Sequence, residues 1–148
     1  MKPQMNADNA DAKTVQQWEF RHLELTRQIV GVFFDVYGEL GFGFLESVYR
    51  GAMAIALREA GLDVEPEVEL QARFRGRQVG TFRADLLVAG AVVVEFKAAR
   101  GIDQAHVAQV LNYLRCTSLE MGLILNFGPR PQIRRLAFAN VRKQPIVP

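Results

Sequence analysis

The sequence predicts a mixed α/β domain, and three observations carry that prediction. Two stretches of helical hydrophobic period open the chain, the period changes to two near residue 64, and a third helical stretch separates two strongly apolar runs of strand length. The predicted order is therefore helix, helix, three strands, helix, strand, and the helix joining the third strand to the fourth implies a crossover within one sheet.

The first helix is predicted over Leu23–Leu40, where Leu25, Ile29, Val32, Phe33, Val36 and Leu40 recur at helical spacing and Gly41 is placed to end the segment. The second runs from about Phe44 to Ala60, with Leu45, Val48, Ala52 and Ile55 as its buried stripe and Gly61 as its stop. After it, Val64, Pro66, Val68 and Leu70 alternate with acidic residues, the pattern of a half-exposed strand that continues to Phe74 and turns at Gly76. A second strand over Val79–Val88 ends at Ala89-Gly90, which predicts a hairpin into Ala91–Lys97, an apolar run with the character of a central strand buried on both faces. Residues 102–117 return to helical spacing through Val107, Val110, Leu111 and Leu114, and Met121–Phe127 is a further apolar strand. Beyond Gly128-Pro129, Ile133–Phe138 is read as an edge strand.

A chain of 148 residues fits one domain, read as 18–148 behind a flexible polar leader over 1–17. Hydrophobic residues at 49% and charged residues at 23% match a globular protein, not a disordered or fibrous one. A lone cysteine, Cys116, excludes an internal disulfide and a Cys-rich zinc site. A reducing cytoplasm is the expected compartment, with Cys116 buried on its helix. No run approaches the roughly 20 apolar residues of a membrane helix, and the N-terminus lacks a signal peptide's apolar stretch.

The net charge of +2 conceals an asymmetry: residues 1–70 carry six Lys/Arg against twelve Asp/Glu, and residues 71–148 carry twelve against four. A basic half suits a polyanion, although a solvated face reads the same way. Two of its four acids, Asp85 and Glu95, fall inside strands. Glu95 and Lys97 are two apart and so share a strand face, and a symmetric turn through Gly90 brings Asp85 across from them. Two carboxylates in an apolar sheet need a compensating cation, and a hard divalent ion meets that need with oxygen ligands. Such a centre fits phosphodiester hydrolysis, whereas a structural ion pair at a strand end is the other reading of the same residues. There is no Walker loop, CxxC, HExxH or GxSxG, and Gly41-Phe-Gly43 follows a helix instead of the strand a dinucleotide loop requires.

The segment Arg83-Ala84-Asp85, with nine residues between Asp85 and the run Glu95-Phe96-Lys97, resembles the D…ExK signature of the PD-(D/E)XK nucleases. The stretch Gly43-Phe44-Leu45-Glu46-Ser47-Val48-Tyr49 is similar to the signature of the GxxExxY family within that superfamily. So are His106-Val107-Ala108-Gln109-Val110-Leu111-Asn112-Tyr113-Leu114 and Leu123-Ile124-Leu125-Asn126-Phe127-Gly128, in the family's order, and the likeness spans roughly residues 25–138. Phe96 stands where that family commonly has leucine.

The resemblance implies a restriction-endonuclease-like αβββαβ core, with a central mixed sheet flanked by helices and one extra N-terminal helix. It implies Asp85 and Glu95 as metal ligands joined by Glu46, Lys97 as the catalytic lysine and Gln109 in support. Mg²⁺ is the implied ion, with Mn²⁺ as a substitute. His106, Gln109 and Tyr113 form one polar helix face, and Glu46, Tyr49, Arg50 and Met53 share another, which makes Tyr49, His106 and Tyr113 candidate nucleic-acid contacts. Arg73, Arg75 and Arg77 at period two, with Arg83, are candidate phosphate contacts of little base specificity. The expectation is a metal-dependent nuclease acting on nucleic acid, DNA ahead of RNA, with no membrane partner. A homodimer is admitted by the habit of small nucleases. The alternative is a non-catalytic module that keeps the fold and binds nucleic acid or protein.

Overall fold

The computed structural model describes residues 22–143, so the leader expected over 1–17 lies outside the described residues. Helix α1 covers 22–40. It is followed by α2 (Glu46–Glu59), β1 (Val64–Phe74), β2 (Arg77–Val88), β3 (Val92–Lys97), α3 (Gln104–Cys116), β4 (Met121–Phe127), β5 (Pro131–Ala137) and a 3₁₀ turn at Asn140–Arg142. The five strands form one sheet in the order β1-β2-β3-β4-β5, antiparallel throughout except for the parallel β3–β4 pair. Helix α3 supplies the crossover that a parallel pair requires. The mixed sheet with flanking helices is the predicted α/β architecture.

Strand parity sorts the core into two layers. Val92, Val94 and Phe96 of β3 and Met121, Leu123, Leu125 and Phe127 of β4 pack with Ile29, Phe33 and Val36 of α1 and Tyr49, Met53 and Leu57 of α2. Val93 and Ile124, on the opposite face, join Val107, Val110, Tyr113 and Leu114 of α3. Both central strands are thus covered on two sides, which is why their sequences read as unbroken apolar runs. On β4, Gly122 leaves room for α3, because a Cβ there would stand 2.5 Å from Val110 Cγ1 and 3.3 Å from Val93 Cγ1.

Helix α2 is turned by one residue from the predicted stripe, of which only Ala52 packs on the core. Leu45, Val48 and Ile55 are exposed at 76%, 40% and 60%, and the buried side is Tyr49, Met53, Ala54 and Leu57. The two stripes lie one residue apart, so apolar spacing alone does not rank them. The Tyr49 ring decides it by stacking on Phe127 with centroids 3.9 Å apart. Its hydroxyl donates to Gly41 O at 2.7 Å and accepts from Phe44 N at 3.2 Å, so a large apolar surface is buried with its polar end satisfied. Cys116 is likewise corrected: it is the last residue of α3 and is exposed.

Candidate active site

The turn between β2 and β3 holds Ala89 and Gly90 at φ 54° and 63°, the paired positive values of a tight hairpin turn. It sets Val88 against Val92, Leu87 against Val93 and Leu86 against Val94. The ladder stops there. At the next position side chains replace backbone bonds: the Asp85 N–H donates to Glu95 Oε1 at 3.1 Å, and the Phe96 N–H donates to Asp85 Oδ2 at 2.8 Å. Strand β2 goes on pairing with β1 to the hairpin end. The sheet therefore forks between β2 and β3, with two carboxylates at the branch.

Lys97 lies two residues beyond Glu95, and α3 fixes its head. Its Nζ donates to Gln109 Oε1 at 3.2 Å, Gln109 Nε2 donates to Tyr113 Oη at 2.9 Å, and that hydroxyl donates to Arg83 O at 3.3 Å. The relay ties helix α3 to both prongs of the fork. Behind Lys97 its register partner Asn126, fully buried, accepts from Ala99 N at 3.0 Å and donates to Ala99 O at 2.9 Å. That two-way amide contact holds the chain as it leaves β3.

Glu95 is only 4% exposed. Burial first, and then the charge of Asp85, push its carboxyl up to about 8, with Lys97 pulling the other way. Tyr113 is pushed further up from its ordinary value by burial and by Glu95, so it stays a neutral donor. Burial outweighs the pull of Lys97 on the Glu95 carboxyl, which holds a proton beside Asp85. Two adjacent carboxylates are the donor type that a hard divalent ion takes, its remaining ligands being waters and phosphate oxygens.

Of the expected residues, Asp85, Glu95, Lys97 and Gln109 come together here. Glu46 does not join them: it is exposed in the first turn of α2, and among the described residues no group of three or more His, Cys, Asp or Glu is placed to hold a metal. The structure thus places Glu46 apart from the pair it was expected to join. The rotation of α2 that buries Tyr49 brings Arg50 to the fork instead, 3.4 Å from Asp85 Oδ1 and 3.0 Å from Glu67 Oε1. Tyr49 and Tyr113, 0% and 2% exposed, have no surface to offer nucleic acid, and both expectations are corrected. His106 closes a capping box with Asp103, its Nδ1 accepting from Asp103 N at 3.2 Å. The arginines are exposed but do not share one strand face. Arg73 lies in β1, Arg75 sits in the turn at φ 51°, and Arg77 begins β2.

Arg50, Glu67 and Asn126 were not singled out by sequence. A signal existed for Asn126, the one polar residue in MGLILNF. For Arg50 the signal was its place on the α2 face shared with Glu46 and Tyr49, and for Glu67, one acid of an alternating acidic strand, there was none.

An α/β domain with a forked sheet, paired carboxylates at the branch and a lysine two residues on is the class that these features define. A model of the PD-(D/E)XK nuclease superfamily matches residues 23–136, and the chain belongs to that superfamily. Nucleases of this superfamily typically use divalent metal ions. A solved structure described as "Crystal structure of SSO0001" is similar at 23% identity and a TM-score of 0.51, over 63% of this chain and 50% of that one, a likeness of fold. This chain therefore spans half the length of that relative. None of the curated proteins compared with the chain matches it. Among the described residues no helix is long and apolar enough to cross a membrane.

Proposed function

We propose that this chain is a divalent-metal-dependent nuclease that hydrolyses phosphodiester bonds of nucleic acid, DNA in first place, and that it is of the GxxExxY type. The observation that carries the reading is the fork itself, where buried Glu95 and Asp85 share a branch point with Lys97. Asp85 and Glu95 are the proposed ligands of Mg²⁺, with Mn²⁺ as a substitute. Such an ion supplies charge neutralisation at the scissile phosphate and a lowered pKa for a bound water. Lys97, held by Gln109, directs an ammonium at the attacking water and at the charge that develops on the phosphate. Tyr113 steadies Gln109 and takes no proton. The exposed guanidiniums of Arg73, Arg75 and Arg77 hold phosphates away from the scissile bond and that of Arg83, two residues from Asp85, holds one nearer the fork, giving affinity without sequence preference.

The test is cleavage of labelled DNA and RNA panels with Mg²⁺ or Mn²⁺, comparing the wild type with Asp85→Ala and Lys97→Ala. Metal-dependent cutting that falls by on the order of 10²-fold or more in each variant is the expected result. Binding without cutting, equal in all three proteins, leaves the non-catalytic binding module as the function.

A further inference from the structure

Glu67 and Asp85 occupy facing positions on β1 and β2, since Pro66 pairs with Leu86 on one side of them and Val68 with Ala84 on the other. The ladder omits the pair between, and there Glu67 stands at φ 51°. Left-handed backbone is costly for a residue with a Cβ, and no turn demands it in the middle of this strand. Its consequence is directional: the Glu67 carboxylate meets Arg50 Nη2 at 3.0 Å, while Nη1 of the same guanidinium lies 3.4 Å from Asp85 Oδ1. The other Asp85 oxygen already accepts from Phe96 N. Oδ1 is thus the oxygen that a metal ion would take, and Arg50 stands on it. A guanidinium and a dication on one oxygen repel each other.

We propose that Arg50 is a transferable cation of this site. It bridges Asp85 and Glu67 in the metal-free protein, is left on Glu67 alone when a divalent ion takes Oδ1, and from that seat donates to a non-bridging oxygen of the scissile phosphodiester. The proposal rests on the metal-dependent reading above. Partial exposure of Arg50, Asp85 and Glu67 side chains, at 29%, 19% and 49%, keeps each contact weak enough to exchange. The shorter contact is already the one to Glu67. A planar guanidinium with several donors suits a phosphate, and a lysine at this position could not reach both sides at once.

The experiment measures Mn²⁺ binding to the full chain by calorimetry for wild type, Arg50→Ala, Arg50→Lys, Glu67→Gln and Glu67→Gly, and then the cleavage kinetics of each. Arg50→Ala is expected to bind Mn²⁺ about two- to fivefold tighter, the range an ion pair of this exposure is worth, yet to cut on the order of tenfold to a hundredfold slower in kcat. Arg50→Lys is expected to restore the Mn²⁺ affinity of the wild type but only part of the rate. Glu67→Gln, which leaves Arg50 only a neutral acceptor as its second seat, is expected to bind Mn²⁺ more weakly. Glu67→Gly should do the same with an unchanged or higher Tm, since it also relieves the backbone. Unchanged Mn²⁺ affinity in Arg50→Ala overturns the transfer, and an Arg50→Ala that cuts at the wild-type rate overturns the phosphate contact. A wild type that binds Mn²⁺ but cuts nothing fails the nuclease reading instead, and the Mn²⁺ series then decides the transfer by itself.

Discussion

Glu95 carries its carboxyl into the sheet beside Asp85, and the value of about 8 that results separates the native from the unfolded protein over a wide span of pH. An unfolded glutamate ionises near 4.5, so between 4.5 and about 8 the native state holds a proton that the unfolded state has given up. Stability contributed by the protonated carboxyl is complete below the lower value and is lost as pH rises through the upper one. The Tm of metal-free protein should therefore decline across that window, and Glu95→Gln should flatten the decline. With Glu95 as the metal ligand proposed above, binding displaces the same proton, so Mn²⁺ affinity should rise with pH over the same range. A wild type whose Tm follows pH no more steeply than the variant's would contradict the buried carboxyl. This residue was legible in the sequence because a charge inside AVVVEFK needs a reason, and Asp85 and Lys97 followed from alternation and the hairpin. Glu67 was not legible, because its distinguishing feature is a backbone angle that an alternating acidic strand does not announce.

At the scale of elements, periodicity located the helices and strands but not the rotation of α2. Its two candidate stripes are neighbours, and the outcome depends on Phe127, a residue far along the chain that gives Tyr49 a ring to stack on. For that single reason Tyr49 is buried and Arg50, which had no expected role, reaches the fork. Helix α3 was better determined: Val107, Val110 and Leu114 are buried as expected, and Tyr113 joins them. Its seat on β4 depends on Gly122, where a methyl group would collide with Val110 Cγ1 at 2.5 Å and crowd Val93 at 3.3 Å. Gly122→Ala should cost about 1–3 kcal/mol in denaturant unfolding, the range for overpacking a close-packed core. Adding Val110→Ala should recover part of that cost, because it removes the nearer atom. A double variant less stable than the sum of the two singles would show that the contact is not what limits the helix. Since α3 also carries Gln109, the single variant should loosen the hold on Lys97 and lower activity.

For the molecule as a whole, charge is arranged by distance from the fork. The hairpin of β1 and β2 extends past the end of β3, which pairs with β2 only at Leu86–Val88. Arg73, Arg75 and Arg77 gather at its far end, with exposed Phe74 and Val79 beside them. Arg77 and Asp85 stand eight positions apart on β2, roughly 25 Å at the rise of a strand, so on the proposed reading the tip would meet a polyanion well away from the bond to be cut. An arginine at that distance acts on binding and leaves the chemical step alone. A chain with Arg73→Ala, Arg75→Ala and Arg77→Ala should bind duplex DNA more weakly at low salt. Its plot of log affinity against log salt should be shallower by about 0.9 for each phosphate no longer neutralised, or roughly 3 for all three. In cleavage assays KM should rise while kcat stays near the wild-type value. If the slope is unchanged, the arginines face solvent and the grip on nucleic acid lies elsewhere on the basic half. If kcat falls with the slope, the hairpin bends its tip toward the fork and the arm takes part in the reaction itself.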